Sequence, residues 1–168
     1  MLTLILPIGG PGSGKTTLCQ DLKDGSIPSL LEPYVKATDT FTYSCRDELY
    51  AEVRQNNGAN KTRRILYDKF QEWIRGLKGK DIVAYLDSSN AQLGGRNHII
   101  EQIKPDRVIL INFRYPADIL VARTMVREHH PTFPKEREEQ LNIIGKVLTG
   151  LEYADADAGQ ECIVLEWE

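Results

Sequence analysis

The chain has 168 residues, a length typical of one domain with a sizeable core. Its net charge of −3 argues against broad non-specific binding along a nucleic-acid duplex, and it leaves room for a local basic groove that takes one strand end. No apolar run is long enough for a membrane span and no signal-peptide pattern is present, so we expect a cytoplasmic protein without membrane contact. The cysteines lack metal-binding spacing and are expected to be reduced thiols: Cys19, Cys45 and Cys162.

A glycine-rich motif follows the first predicted element. The apolar run over 2–8 predicts a buried parallel strand, and a helix is predicted from about Gly14 to Leu22. The residues that join them have the form G-x-x-x-x-G-K-[ST]: Gly9, Gly10, Pro11, Gly12, Ser13, Gly14, Lys15 and Thr16. In this strand–loop–helix context the pattern predicts a phosphate-binding loop.

The residue types in this loop suit a nucleoside triphosphate. Glycines let several backbone N–H groups converge on one anion, and the following helix adds the positive end of its dipole. Lys15 is expected to reach the β- and γ-phosphates, and the Thr16 hydroxyl is expected to bind Mg²⁺. The loop and Thr17 together are therefore predicted to bind ATP or GTP.

Further along the chain, predicted strands and helices alternate. Strands are predicted over 34–37, 81–86, 107–113 and 161–167. Helices are predicted over 47–54 and 62–77, from Gly94-Gly95, from Pro116, and from Pro134 to Gly150. This alternation predicts one α/β domain over 1–168, of the P-loop nucleotide-kinase type, with a mostly parallel sheet and a helical lid at about 116–135. No feature of the sequence indicates an oligomeric state.

Polar residues are predicted to gather at the carboxyl ends of the strands, where such sheets bind ligands. Asp39 would follow the second strand and serve as general base, whereas Asp87 would follow the third strand and either complete the Mg²⁺ shell or orient a neighbour. Arg123 and Arg127 lie four apart on a predicted lid helix and would neutralise the transferring phosphoryl group. His129 and His130 have no partner at metal-ligand spacing and are interpreted as lid-surface residues.

Which reaction the loop serves depends on the residues around it. A GTPase would carry a D-x-x-G switch and an N-K-x-D base-reading motif, and neither is present. A motor or AAA-type ATPase would usually need a longer chain. A small phosphotransferase remains, with a base, a Mg²⁺ shell and charge-neutralising arginines.

Four stretches, in order, resemble the 5′-hydroxyl polynucleotide kinases of the phage type and the small P-loop kinases around them. They are Ile8 to Thr16, Ala37 to Phe41, Leu86 to Asn90, and Leu120 to Thr124 leading through Pro134 into a helix. The resemblance implies transfer of the ATP γ-phosphate to a 5′-hydroxyl end of RNA or DNA. It also implies that Asp39 is the general base, that Arg123 binds the phosphates from the lid, and that Asp87 lies in the active site.

One departure from that family concerns the acceptor. Phage-type kinases place an arginine three residues after the base, where it holds the 3′-phosphate of the substrate, and here that position is Thr42. Arg46, Arg63 or Arg64 would have to substitute, although a helix start such as 61–64 is often simply solvated. Two alternatives therefore stay open: a kinase of a small metabolite, nucleoside or nucleotide sugar, and a nucleotide-binding regulatory module.

Overall fold

The computed structural model describes residues 1–55, 57–126, 136–155 and 162–168. Within these ranges the strands are β1 (Leu2–Ile8), β2 (Phe41–Cys45), β3 (Ile82–Asp87), β4 (Arg107–Asn112) and β5 (Cys162–Glu166). The helices are α1 (Lys15–Lys23), α2 (Arg46–Arg54), α3 (Ala59–Leu77), α4 (Leu93–Ile103), α5 (Ala117–Met125) and α6 (Arg137–Thr149). Helix α5 falls within the predicted lid, whereas residues 127–135 of that lid lie outside the described ranges.

The strands form one parallel sheet in the order β2-β3-β1-β4-β5. This confirms the predicted α/β fold. Strand β1 lies in the centre and all seven of its residues are buried, because its two faces meet different layers of helices. Leu4 and Leu6 pack in the cluster that includes Ile74 of α3, whereas Ile5 packs in the cluster that includes Leu18 of α1.

Helix α5, which was predicted as part of a lid, packs on α6 through a small apolar cluster of its own. Leu120 and Val121 of α5 and Ile144 of α6 are its buried members. Helix α5 also lies against the phosphate loop, because Leu120 reaches Gly10. Helix α5 is thus held between the loop and α6.

The second strand is not where the sequence predicted it. Residues 34–37 lie among turns and include no strand, and β2 begins instead at Phe41. Val35 is buried because it packs against the α1 side of the sheet, which explains the apolar character that suggested a strand. The prediction of a strand over 34–37 was therefore wrong, and the residues at the carboxyl end of the second strand are Cys45 and its successors.

No helix in the described part of the chain is both long and apolar enough to cross a membrane.

Candidate active site

The phosphate loop has the backbone that its glycines allow. Gly12 and Gly14 have φ angles of 78° and 105°, a region that residues with a Cβ rarely adopt. Gly14 directly precedes α1, so the first turn of that helix, with the exposed Thr16 and Thr17, opens at the loop. The N–H groups in the first turn of a helix have no partner within the helix, and together with the helix dipole they favour an anion at this end.

Three of the loop glycines are also required by close packing. A Cβ on Gly9 would lie 2.8 Å from Phe113, and one on Gly10 would lie 2.9 Å from the Leu120 side chain. At Gly12 the added atom would lie 2.9 Å from Thr124 of α5. The loop is therefore packed against α5 at Gly10 and Gly12 and against Phe113 at Gly9, and a side chain at any of these positions would push the loop away from its neighbour.

Lys15 lies across the loop. Its Nζ donates to the carbonyl oxygens of Gly9 at 2.9 Å and Gly10 at 2.8 Å, and to the Ser13 hydroxyl at 3.3 Å. The Tyr85 hydroxyl donates to the Lys15 carbonyl oxygen at 2.7 Å, which ties the start of α1 to β3. The ammonium group is thus held against the loop by its own backbone and by Ser13.

Thr16 and Asp87 meet at the carboxyl edge of the sheet. The Thr16 hydroxyl donates to Asp87 Oδ2 at 2.8 Å, and Asp87 is only 5% exposed at the end of β3. A hydroxyl and a carboxylate are hard oxygen ligands of the kind Mg²⁺ prefers, and Mg²⁺ usually takes one or two carboxylates with substrate phosphates. The pair fits that ion, and no group of three or more metal-binding side chains occurs among the described residues.

Asn90 shapes the turn after β3, and the sequence analysis assigned it no role of its own. Its amide nitrogen donates to the carbonyl oxygens of Pro7 at 2.8 Å and Leu86 at 3.1 Å, so it joins the ends of β1 and β3. Its φ of 45° is a left-handed conformation that asparagine tolerates better than most residues. Asn90 therefore fixes the position of the phosphate loop relative to Asp87.

Asp39 lies at the opposite edge of the sheet from this group. It precedes β2, and its carboxylate accepts a hydrogen bond from the Lys36 amide at 2.9 Å, as in a local turn. A five-residue strand separates the two edges by roughly 16 Å. The expectation that Asp39 follows the second strand is corrected, because that strand begins after it.

The first carboxylate after the observed β2 is Asp47. Cys45, the last residue of β2, pairs in register with Asp87, and Asp47 is exposed in the first turn of α2 two residues later. Asp47, and not Asp39, therefore follows the second strand, which is the position expected of the base. The alternating run Phe41-Thr42-Tyr43 is typical of a half-buried strand, and it could have located β2 from the sequence.

Arg123, which was predicted to bind the phosphates from a lid, lies on α5 beside the phosphate loop. Its Cβ would be 3.6 Å from a Cβ placed on Gly12, and its guanidinium lies 4.1 Å from the centre of the Tyr115 ring. The ring holds the charged group by a cation–π contact. Arg127 lies outside the described residues, as do His129 and His130.

A cleft of about 510 Å³ opens next to Asp87, between α2, α3 and α4. We call it the apolar cleft, and its lining includes Arg46, Arg63, Leu66, Tyr67, Phe70 and Ile99. Arg46 and Arg63, two of the predicted substrate-binding residues, are thus brought together. Arg64 is exposed and is not among the lining residues. Thr42 lies within β2, where its hydroxyl accepts a hydrogen bond from Trp73 Nε1 at 3.2 Å.

Two of the free thiols lie buried under this edge. Burial raises the pKa of Cys19 and of Cys45 to about 12, and the Asp87 carboxylate adds to both rises. In the folded protein both thiols therefore stay protonated, whereas the reactive form of cysteine is the thiolate. Both cysteines are therefore inert near neutral pH.

The raised pKa values have a consequence for stability. The ordinary thiol pKa is 9.0, so the unfolded chain ionises above pH 9 while the folded chain stays neutral up to about pH 12. We expect the free energy of unfolding to fall as pH rises through this window, by about 1 kcal/mol per thiol at pH 10. Urea titrations at pH 8 and pH 10 measure it, and the double variant Cys19→Ala/Cys45→Ala should lose that part of the fall. An equal fall in the double variant would contradict the assignment.

No protein-family model matches the chain, and no curated protein matches it in sequence. Solved structures do match in fold. Kti12 of Chaetomium thermophilum, in complex with ADP-AlF3, aligns with a TM-score of 0.59 at 18% identity over 100% of this chain and 90% of that one. A sugar kinase from a Janibacter species aligns with a TM-score of 0.55 at 19% identity over 98% and 84%.

A chain of the Pnkp1/Rnl/Hen1 RNA repair complex aligns with a TM-score of 0.58 at 16% identity. The alignment covers 90% of this chain and 46% of that one, so this chain spans less than half of its length. At such identities the likeness concerns the fold. Together with the loop after β1 and the five-stranded parallel sheet, it shows that the chain has the fold of the P-loop kinases.

Proposed function

We propose that this chain is a Mg²⁺-dependent phosphotransferase that moves the γ-phosphate of ATP or GTP to a 5′-hydroxyl end of RNA or DNA. The observation that carries the proposal is the position of the apolar cleft. It opens at the sheet edge that holds the phosphate loop, and its lining includes Leu86 and Ser88 on either side of Asp87. A donor phosphate on the loop and an acceptor in the cleft would therefore meet at that carboxylate.

The donor half uses the loop and its neighbours. The loop amides and Lys15 would bind the β- and γ-phosphates, and Arg123 would neutralise the charge from the lid side. Thr16 and Asp87 would hold Mg²⁺, which when bound neutralises charge on the phosphates. These groups stabilise a transfer in which there is little covalent chemistry for the protein to perform.

The acceptor half needs a base for the attacking hydroxyl. Asp47 is our candidate, because it lies in the first turn of α2 at the end of β2, beside the apolar cleft that its neighbour Arg46 lines. It would accept the proton of the hydroxyl as that oxygen attacks the γ-phosphorus in line. The family resemblance implies Asp39 as the base, but Asp39 lies at the opposite edge of the sheet and cannot reach a hydroxyl bound in the apolar cleft.

The side chains of the apolar cleft suit a nucleotide. Tyr67 is 61% exposed and Phe70 lies beside it, and aromatic rings of this kind stack on bases without selecting a sequence. Arg46 and Arg63 supply guanidinium groups for phosphate oxygens. The cleft thus offers both a stacking surface and positive charge.

A transfer assay tests the proposal. The protein is incubated with Mg²⁺, γ-labelled ATP or GTP, and RNA and DNA oligonucleotides that carry either a 5′-hydroxyl or a 5′-phosphate. We expect label on the 5′-hydroxyl oligonucleotides and none on the 5′-phosphorylated ones. Label on neither, at high protein concentration and with nucleotide bound, would contradict the proposal.

A kinase of a small metabolite is the second candidate, and one position favours it. If Asp47 is the base, the residue three positions on is Tyr50, whereas phage-type kinases have a phosphate-binding arginine there. Arg54 lies one helical turn further on, with its guanidinium 5.5 Å from the centre of the Tyr50 ring, so it does not occupy the position of the arginine in those kinases.

The transfer assay separates the candidates. Label transferred to a sugar or nucleoside, and not to oligonucleotides, would favour the metabolite kinase. Nucleotide binding without transfer to any acceptor would favour the regulatory module.

A further inference from the structure

Tyr85 is a tyrosine buried in the middle of the sheet, where the start of α1 packs on it. It belongs to β3, it is 0% exposed, and it pairs in register with Ile5 of the central strand. Its ring packs in the apolar cluster that includes Leu18 of α1, and its centre lies 6.5 Å from that of the Phe41 ring. An aliphatic side chain could fill this place without a polar atom, whereas a buried tyrosine hydroxyl needs a hydrogen-bond partner.

That partner is the backbone of α1. The Tyr85 hydroxyl donates to the carbonyl oxygen of Lys15 at 2.7 Å, and Lys15 is the first residue of the helix. The bond joins two residues that are 70 positions apart in the sequence. It therefore holds the first turn of α1 against β3, at the point where the phosphate loop ends.

Asp87 belongs to the same face of β3 as Tyr85. Side chains two residues apart on a strand point to the same side of the sheet. Asp87 accepts a hydrogen bond from the Thr16 hydroxyl at 2.8 Å, and Tyr85 binds the residue that directly precedes Thr16. Two adjacent residues of α1 are thus bound by two side chains of one strand face. A shift of the Lys15 carbonyl would carry the Thr16 backbone with it and change the spacing of Thr16 and Asp87.

We propose that Tyr85 is a positioning residue for the candidate Mg²⁺ site: its hydroxyl sets the spacing at which Thr16 and Asp87 together fit the ion. Mg²⁺ demands near-octahedral geometry with ligand distances of about 2.0–2.1 Å. The phosphates are held less strictly, because several backbone N–H groups of the loop share them. A small displacement of the first turn of α1 should therefore weaken Mg²⁺ binding more than phosphate binding. The inference rests on the proposed function for the nucleotide and the ion, but it requires no particular acceptor.

Tyr85→Phe tests the proposal by calorimetry, without any turnover. The variant loses the hydroxyl and keeps the ring that packs in the apolar cluster. ADP is titrated with EDTA and again with saturating Mg²⁺, and the ratio of the two dissociation constants is called the coupling ratio. We expect the coupling ratio to fall about fivefold, the factor that the loss of one hydrogen bond implies. The affinity for ADP in EDTA should change less than about twofold, because the loop amides are untouched.

Tyr43→Phe is the matched control. Tyr43 pairs in register with Tyr85 on the neighbouring strand and packs in the same apolar cluster, but its hydroxyl donates to Glu48 at 3.4 Å and not to α1. The same atom is thus removed from the same side of the sheet, and the coupling ratio should stay unchanged. An equal coupling ratio in Tyr85→Phe and Tyr43→Phe would overturn the inference. So would a loss of ADP affinity in Tyr85→Phe that is as large in EDTA as in Mg²⁺.

A double variant separates positioning from a general loosening of the sheet. Asp87→Asn should remove most of the coupling ratio by itself, because it weakens the carboxylate ligand. If Tyr85 acts through Thr16 and Asp87, adding Tyr85→Phe to Asp87→Asn should lower the ratio no further, since residues of one network are not additive. A further fivefold fall in the double variant would contradict this route.

The outcome is independent of the acceptor. If the coupling ratio falls as expected and no label is transferred in the kinase assay, the proposed function fails and the role of Tyr85 stands. If label is transferred and Tyr85→Phe keeps the full coupling ratio, the proposed function stands and the role of Tyr85 fails.

Discussion

Replacing Asp47 by asparagine should lower the turnover of phosphoryl transfer about 10²- to 10⁴-fold, the range typical for loss of a general base. Asparagine keeps the shape of the side chain but cannot take the proton of the attacking hydroxyl. Because Asp47 lies in the first turn of α2, outside the phosphate loop, the affinity for ADP should stay within about twofold of the original. Single-turnover transfer and ADP calorimetry measure the two quantities.

Asp39→Asn is the matched control for this experiment. The same change is made to an exposed aspartate at the opposite edge of the sheet, where the carboxylate serves a local turn with the Lys36 amide. Its turnover should equal that of the unmodified protein. A large loss in Asp39→Asn together with normal turnover in Asp47→Asn would restore the role implied by the family resemblance and refute ours.

Lys15→Ala should lower the turnover about 10²- to 10³-fold, comparable to the loss of one preorganised donor at developing charge. It also removes three hydrogen bonds that hold the loop, to Gly9, Gly10 and Ser13, so ADP affinity should fall too. The variant thus differs from Asp47→Asn, in which only turnover changes. Calorimetry with ADP and single-turnover transfer separate them.

Lys23→Ala serves as the control on the same helix. Lys23 lies in the last turn of α1, with its ammonium 5.2 Å from the centre of the Tyr43 ring and away from the loop. It should retain ADP binding and transfer. If Lys15→Ala behaved like Lys23→Ala, the loop would not be the donor site.

The central sheet and the phosphate loop were predictable from sequence because they depend on local patterns. β1 was predicted with its observed bounds, since a continuous apolar run is typical of a strand buried on both faces. The helix from Gly94-Gly95 and the strand that ends near Asp87 were located for similar reasons. The contact between Thr16 and Asp87 then follows from parallel strand order.

The second strand was missed because it is an edge strand. β2 pairs only with β3, so Phe41, Thr42 and Tyr43 are half-buried and polar residues interrupt the run. The buried Val35 in the preceding turns gave a stronger apolar signal. That error placed Asp39 after the strand, which, together with the family resemblance, made it the expected base; in the structure the first carboxylate after β2 is Asp47.

The apolar cleft was not predictable because the residues that line it come from distant parts of the chain. Arg46 begins α2, Phe70 is on α3 and Ile99 is on α4. Tertiary packing alone brings these side chains to one place.

A crystal structure of the protein with Mg²⁺, ADP-AlF3 and a short 5′-hydroxyl oligonucleotide would test the central claim most directly. The account predicts the terminal nucleotide in the apolar cleft and its 5′-oxygen about 3 Å from the Asp47 carboxylate, in line with the fluoroaluminate. An oligonucleotide bound elsewhere, or a cleft that stays empty while the nucleotide occupies the loop, would contradict the account.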